Sequence, residues 1–306
     1  MARFAPFLIL LAGAPAQAPD DVAEILRRIG VRRGIVAVVQ PAREALPLEL
    51  AKSSELHLYV QLEDAAPLAA LRRAAEGAGL LGTRITADQG ALARISLADN
   101  LADAVIAPAR VPRSEVVRVL RPGGKGLHGA EEVGKAFPEG AGEWTHPYHG
   151  PDNNPQSKDT VARGPFLTQF MATPWYAAMP QMSVMSGGRI FKVWGNRTSA
   201  QPQWEVMDTL LCMSAWNGTA LWQRKLSAGF MIQRNTMIAT PDLLYLADDV
   251  SCKRIDAATG ETKDEIVVPD GLSDGPVWKW MALEKGILYA LVGEKEKSLE
   301  AVKTGP

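Results

Sequence analysis

The sequence predicts two domains in series: an α/β domain built on a parallel sheet, then an all-β domain of repeated units. Two observations carry this. Up to about residue 129, short apolar strands alternate with helical stretches, the pattern of a parallel sheet covered by helices. In the last third a phrase recurs three times, each time an apolar strand followed by a second short strand that ends in a polar-Gly turn. It reads Arg189 to Val193 then Leu210 to Gly218, Leu243 to Ala247 then Cys252 to Gly260, and Ile287 to Leu291 then Leu299 to Gly305. The turn glycines Gly218, Gly260 and Gly305 lie 42 and 45 residues apart, which is the spacing of a β-propeller blade. Three blades do not close a ring and the last phrase ends one residue before Pro306, so an incomplete propeller of a longer protein is expected.

The elements follow in order. Met1-Ala2-Arg3 is positively charged, Phe4 to Ala14 is apolar, and Ala16-Gln17-Ala18 offers small residues for cleavage, so residues 1–18 read as a secretory signal peptide. The apolar run is too short to anchor the chain permanently, no Cys follows it to carry a lipid, and no transmembrane segment is expected after cleavage. An extracytoplasmic location, periplasmic or secreted, follows. Pro19 to Ile29 reads as a helix with an Asp20-Asp21 cap and a Gly30 stop. A strand at Gly34 to Val39, a helix at Ala42 to Ser53 interrupted by Pro47, and a strand at Leu56 to Val60 come next. Ala65 to Ala78 is an Ala/Leu/Arg helix, Arg84 to Thr86 and Ala104 to Ala107 are strands, and Arg113 to Leu120 is a helix. From Pro122 to Glu143 no period is sustained; the α/β domain is placed at 19–129, a linker at 130–143 and the β-rich domain at 144–306.

Bulk properties exclude some classes. Hydrophobic content of 47% and charged content of 22% suit an ordinary globular protein. A net charge of −1 gives no basic field to recruit nucleic acid. Two cysteines are too few for a disulfide scaffold or a thiolate metal cluster.

Val119-Leu120-Arg121-Pro122-Gly123-Gly124 after a helix, and Ser96 to Val105 as a loop leading into the fourth strand, resemble class I S-adenosylmethionine-dependent methyltransferases. The resemblance covers about Val22 to Gly129 and implies a Rossmann-like fold. If that cofactor is bound, the resemblance assigns Glu63 at the end of the second strand, with Asp88 and Gln89 just past the third, to hold it; Gln61 is the alternative to Glu63. The chain departs from the family after the first strand, where Val39 to Ala45 contains no glycine. Side chains there stand where the ligand's backbone cradle is needed, and an exported protein would not meet a cytosolic cofactor. Loss of S-adenosylmethionine binding is therefore expected.

Asp256-Ala257-Ala258-Thr259-Gly260, and Asn217-Gly218-Thr219-Ala220-Leu221-Trp222 with its Trp four residues past the Gly, resemble the repeats of quinoprotein-like propellers of the outer-membrane assembly factor type, named for pyrroloquinoline quinone (PQQ). The resemblance implies that Trp222 packs between blades and that the Trp144 to Asp152 segment is an opening strand that completes the last blade. Quinone-dependent dehydrogenases of this class need calcium, acidic and amide ligands and often adjacent cysteines. Cys212 and Cys252 are not adjacent, and read as buried thiols or as an inter-blade disulfide.

His146, His149 and Asp152 share one short loop, loosely spaced for a metal and better suited to polar packing. Trp175, Trp194, Trp204, Trp216, Trp222, Trp278 and Trp280 read as blade packing, with a sugar-stacking surface the alternative. Trp278 and Trp280 alternate and so are expected on one strand face. Together these readings predict an exported, non-enzymatic binding or scaffold protein with no catalytic or metal residues and no resident cofactor, whose propeller face meets a protein or polysaccharide. The alternatives are an S-adenosylmethionine-dependent methyltransferase and a PQQ-dependent dehydrogenase.

Overall fold

The computed structural model describes residues 21–164, 168, 170–171, 180–195, 201–227 and 235–294. The expected signal peptide, Trp175 and the Leu299 to Gly305 strand and turn lie outside the described residues. The chain forms two compact units, one mainly of residues up to Lys135 and one mainly of residues from Ala136 onward. Among the described residues no helix is long and apolar enough to cross a membrane.

The first unit runs α1 (Val22–Ile29), β1 (Arg33–Val39), α2 (Leu46–Lys52), β2 (Glu55–Leu62), α3 (Ala65–Gly77), β3 (Ile85–Gln89), β4 (Ala102–Ala107), α4 (Arg113–Val119), β5 (Leu120–His128) and β6 (Glu131–Gly134). These strands make one sheet in the order β3-β2-β1-β4-β5-β6. β4 is parallel to both β1 and β5, β2 is parallel to β3, and β6 returns antiparallel to β5. The core has two layers. Ile25, Leu50, Val36, Val38, Leu58 and Leu71 pack on one side of the sheet; Ala37, Val39, Val105, Val116 and Val119 pack on the other. Burial on both faces is why β1 reads as an unbroken apolar run.

Local chemistry sets the boundaries. Asp21 caps α1 by accepting the Ala23 N–H at 3.2 Å, and Gly30 ends it at a φ of 67°. α2 begins only at Leu46, because Pro47 sits in its first turn, where its missing N–H costs nothing. Pro47 thus starts the helix that it was expected to interrupt.

Two expectations change here. The Leu120 to Gly124 phrase is a bulge inside β5 and not a turn before a linker. Ala102 pairs with Leu120 and Ala104 with Lys125, so Arg121 to Gly124 are looped out between two ladder pairs, with Gly123 at a φ of 75°. The expected linker at 130–143 begins inside the sheet, since Lys125 pairs with Gly134 and His128 with Glu131.

The second unit contains β7 (Pro180–Ser186), β8 (Arg189–Trp194), β9 (Thr209–Ser214), β10 (Ala220–Lys225), β11 (Met237–Ala239), β12 (Leu243–Ala247), β13 (Ser251–Asp256), β14 (Thr262–Val267), β15 (Val277–Glu284) and β16 (Ile287–Gly293). They form two four-stranded antiparallel meanders, β7 to β10 and β11 to β14, and a two-stranded sheet of β15 and β16. The first meander shares an apolar layer with the second through Phe191, Val193, Cys212, Leu244 and Leu246. The second shares another with β15 and β16 through Ile238, Cys252, Trp278 and Met281.

The repeated turns close alike. In the first, Asn217 Oδ1 accepts the Thr219 N–H at 3.1 Å. In the second, Asp256 Oδ1 accepts the N–H groups of Ala258 at 2.9 Å and Thr259 at 3.0 Å. Gly218 and Gly260 follow at φ of 70° and 78°. Asx side chains at these positions satisfy the turn's own backbone, which is why the phrase repeats. A hydrogen bond from Lys263 and these two N–H groups hold the Asp256 carboxyl down to about 2.

Candidate functional site

In a doubly wound sheet, ligands bind outside the carboxyl ends of the strands where the strand order reverses. Here the reversal lies between β1 and β4, which are adjacent in the sheet but separated in sequence by β2 and β3. A cavity of about 470 Å³ opens at that place. Val39, Gln40 and Pro41 line it from the end of β1, and Ala107, Pro108 and Arg110 from the end of β4. Ile25, Leu46 and Leu127 add apolar surface. The volume suits a small molecule.

The loop after β1 lacks glycine, yet it turns as a glycine-containing loop would. Gln40 adopts a φ of 44°, in the left-handed region. Its N–H donates to Gln61 O at 2.8 Å, and its side-chain Oε1 accepts the Glu63 N–H at 3.2 Å. The side chain therefore lies against the end of β2. Gln89 Nε2 donates to Glu63 O at 2.9 Å. Glu63 is thus fixed by its main chain on both sides, while its carboxylate faces the Arg110 guanidinium at 3.7 Å.

The residues singled out in the sequence separate. Glu63 and Gln89 meet through the Gln89 amide, and Glu63 in turn contacts the lining residues Gln40 and Arg110. Asp88 points to the other face of β3, where Arg72 of α3 holds it at 3.2 Å. Gln61 is fully buried, and its amide is consumed. Nε2 donates to Ala91 O at 2.9 Å and Arg94 O at 2.8 Å, and Oε1 accepts the Ser96 N–H at 2.9 Å. Gln61 holds the β3–β4 connection in place, and of the two alternatives Glu63 is the one whose side chain is not consumed in this way. A Cβ on Gly90 would lie 2.9 Å from Gln61 Cδ, so the close approach of the two chains requires glycine there. Arg110 was missed by sequence reading. It stands three residues past the end of β4, and the carboxyl-end rule applied to the predicted Ala104 to Ala107 strand points to it.

In the second unit, Trp144-Thr145-His146 forms a hub for three sheets. Trp144 exchanges two backbone hydrogen bonds with Met185 of β7, at 3.1 and 2.6 Å. Thr145 O accepts the Ala239 N–H of β11 at 2.9 Å. His146 Nε2 accepts the Leu283 N–H of β15 at 3.0 Å, and its Nδ1 bonds with Thr145 Oγ1 at 2.8 Å. Among the described residues the segment thus pairs with β7 and bonds to β11 and β15, the first strand of each sheet. Both His146 nitrogens are engaged, which removes it as a metal ligand. Among the described residues no group of three or more His, Cys, Asp or Glu is placed to hold a metal ion. His149 packs edge-on against Trp144 at 5.3 Å.

Cys212 and Cys252 are free, buried thiols in separate apolar layers. The expected tryptophan alternation fails in β15. Trp278 pairs opposite Val292 and Trp280 opposite Leu291, so Lys279 is the extra residue of a bulge and the two indoles face opposite sides. Trp204 is 54% exposed, while Trp194, Trp222 and Trp278 are buried.

No protein-family model and no curated protein matches the chain. Among solved structures it is similar to a putative S-adenosylmethionine-dependent methyltransferase from Methanococcus maripaludis, with 25% identity and a TM-score of 0.32 over 35% of this chain and 52% of the other. It is also similar to a putative sarcosine dimethylglycine methyltransferase from Galdieria sulphuraria, with 20% identity and a TM-score of 0.32 over 35% and 44% of the two chains. A putative methyltransferase from Bacillus halodurans gives 19% identity and a TM-score of 0.31 over 36% and 50%. The matched part spans about half the length of these proteins.

Proposed function

We propose that the α/β unit is a methyltransferase-type binding domain that takes an adenosyl ligand, S-adenosylmethionine first, across the carboxyl ends of β1, β2 and β4. The cavity at the β1/β4 reversal carries this reading. Two features of the rim fit such a ligand. The Gln40 backbone takes the left-handed turn that lets a ligand pass close to the β1 end. Glu63 stands at the end of β2, where its carboxylate would accept the ribose hydroxyls. The absence of glycine after β1 weighs less than its sequence suggests, since Gln40 turns its side chain toward Glu63 and the cavity stays open beside it. Calorimetric titration of the full chain with S-adenosylmethionine tests the reading. Binding on the order of micromolar to millimolar is expected, the usual range for small enzyme ligands. Ala42→Trp, at an exposed cavity-lining position, should abolish it. No heat of binding in the wild type overturns the reading.

The repeated sheets favour a second reading, in which the chain is an exported binding protein and the β-rich unit belongs to a propeller that presents a face to a protein or polysaccharide. Its support is the pair of four-stranded meanders that share an apolar layer. The readings part on compartment, because an exported chain would not meet a cytosolic methyl donor. Amino-terminal sequencing of protein expressed in a bacterial host separates them. A chain beginning at Pro19 outside the cytoplasm supports export, and an intact Met1 in the cytosol defeats it.

A further inference from the structure

We propose that Arg110 reads a carboxylate on the ligand of the β1/β4 cavity, replacing its present partner Glu63. The inference rests on the adenosyl reading above and adds the class of group recognised at the cavity's β4 end.

Among the described residues, Arg110 is the charged side chain in the cavity lining. The rest of the wall is apolar or neutral, and the Gln40 amide oxygen is already committed to Glu63 N–H. A ligand seated there meets one cation and no competing one. The present partner of that cation is loosely held. Arg110 and Glu63 approach only to 3.7 Å, with side-chain exposures of 58% and 41%. Ion pairs so exposed contribute about 0–1 kcal/mol, so a ligand opens this one at little cost. A guanidinium grips a carboxylate through two parallel N–H···O bonds, a geometry the 3.7 Å contact does not reach.

Opening the pair also frees the other half. The Glu63 backbone is pinned by Gln40 and Gln89, so its carboxylate stays at the β2 end when Arg110 leaves. A molecule with a carboxylate at one end and a vicinal diol at the other satisfies both groups separately. In the free protein the two groups face each other only at 3.7 Å. The amino-acid end of S-adenosylmethionine and a free apolar amino acid share the carboxylate chemistry.

Three titrations of the full chain by calorimetry separate the sources: S-adenosylmethionine, methylthioadenosine (the same nucleoside without the amino-acid end), and L-methionine. S-adenosylmethionine is expected to bind about tenfold or more tightly than methylthioadenosine, the scale of a charge-assisted pair. Arg110→Met should erase that preference without changing the melting temperature, and Arg110→Lys should restore part of it. Equal binding of the two nucleosides, or a preference untouched in Arg110→Met, overturns the Arg110 assignment and leaves the adenosyl reading standing. L-methionine binding that depends on Arg110, with neither nucleoside binding, keeps the assignment and overturns the adenosyl reading. Failure of all three overturns both.

Discussion

The indole of Trp222 lies directly on Gly260, with Trp222 Cδ2 only 2.6 Å from where a Cβ on that glycine would be. The Trp222 Nε1–H donates to Ala257 O at 3.1 Å. One residue of β10 thus fastens the first meander to the repeated turn of the second, through stacking and a hydrogen bond together. The turn needs glycine twice over, for its φ of 78° and for this contact. Gly260→Ala should therefore destabilise the β-rich unit by on the order of 2–4 kcal/mol, summing left-handed backbone strain and overpacking. Urea unfolding followed by tryptophan fluorescence measures it. The same substitution in a Trp222→Leu background should cost distinctly less, because only the backbone strain remains. Equal costs in the two backgrounds would show that the stack contributes nothing.

Much of this unit was legible because the turn chemistry is local. Asn217, Asp256 and their glycines satisfy one another within five residues, so their spacing exposes the repeat, and Trp222 is placed by the same phrase. In the α/β unit, β1, β2 and α3 were legible for a similar reason, since continuous apolar runs and an Ala/Leu period report burial directly. What failed depended on partners distant in sequence. β6 lacks an apolar run and exists through its ladder to β5. The Lys279 bulge appears only in register with β16. Of the three residues assigned from the sequence to a cofactor, Glu63 and Gln89 stand together at strand ends, and Asp88 is drawn away by Arg72. Gln61 was misjudged because its role lies in contacts to Ala91, Arg94 and Ser96, some thirty residues away.

His146 makes the β-rich unit sensitive to acid. Burial lowers its imidazole from 6.5 to about 4, and the neighbouring His149 adds to this while Asp152 opposes it. The neutral ring accepts the Leu283 N–H, and a protonated ring has no lone pair left to do so. Between about pH 6.5 and 4 the unfolded chain holds the proton and the folded chain does not. Stability should fall as the pH drops through this window and level off below it. Urea midpoints at pH 7 and 4.5 check this, with His146→Gln expected to flatten the difference. An equal fall in His146→Gln would assign the sensitivity to other groups.

Cys212 and Cys252 should be inert in the folded protein. Burial pushes each thiol up to about 12, so almost no thiolate exists at neutral pH. A disulfide-exchange reagent such as Ellman's is expected to titrate neither in native buffer and both in denaturant. Fast modification of either under native conditions would contradict the burial on which the apolar layers depend.

Arg118 ties the long connection before β4 to α4, and its loss should loosen the sheet next to the cavity. Its guanidinium donates to Ile95 O at 2.7 Å, Leu97 O at 2.9 Å and Asp99 Oδ1 at 2.7 Å. It also pairs with Glu115 at 2.7 Å, and Glu115 in turn accepts the Ile95 N–H at 3.0 Å. The bond from Glu115 foremost, with Asp99 adding to it, raises the Arg118 pKa, while Arg118 holds the Glu115 carboxyl below its usual value. Arg118→Met would keep the stem's packing but remove a donor from Leu97 O and the charged partner of a largely buried carboxylate, while Ile95 O keeps the Leu97 N–H at 2.8 Å. A loss of about 3 kcal/mol is expected, in the range for removing one partner of a buried charge pair. The contribution of Glu115 to the pH dependence of stability then shrinks. In the wild type, its lowered pKa stabilises the fold above the ordinary carboxylate range and the benefit fades as the pH falls through the folded value. In Arg118→Met the largest of the groups that lower it is gone and the Ile95 N–H remains, so the variant should lose less stability on acidification than the wild type. Hydrogen exchange of the Ile95 and Leu97 amides reports the same event locally, and unchanged protection there in Arg118→Met would refute the tie.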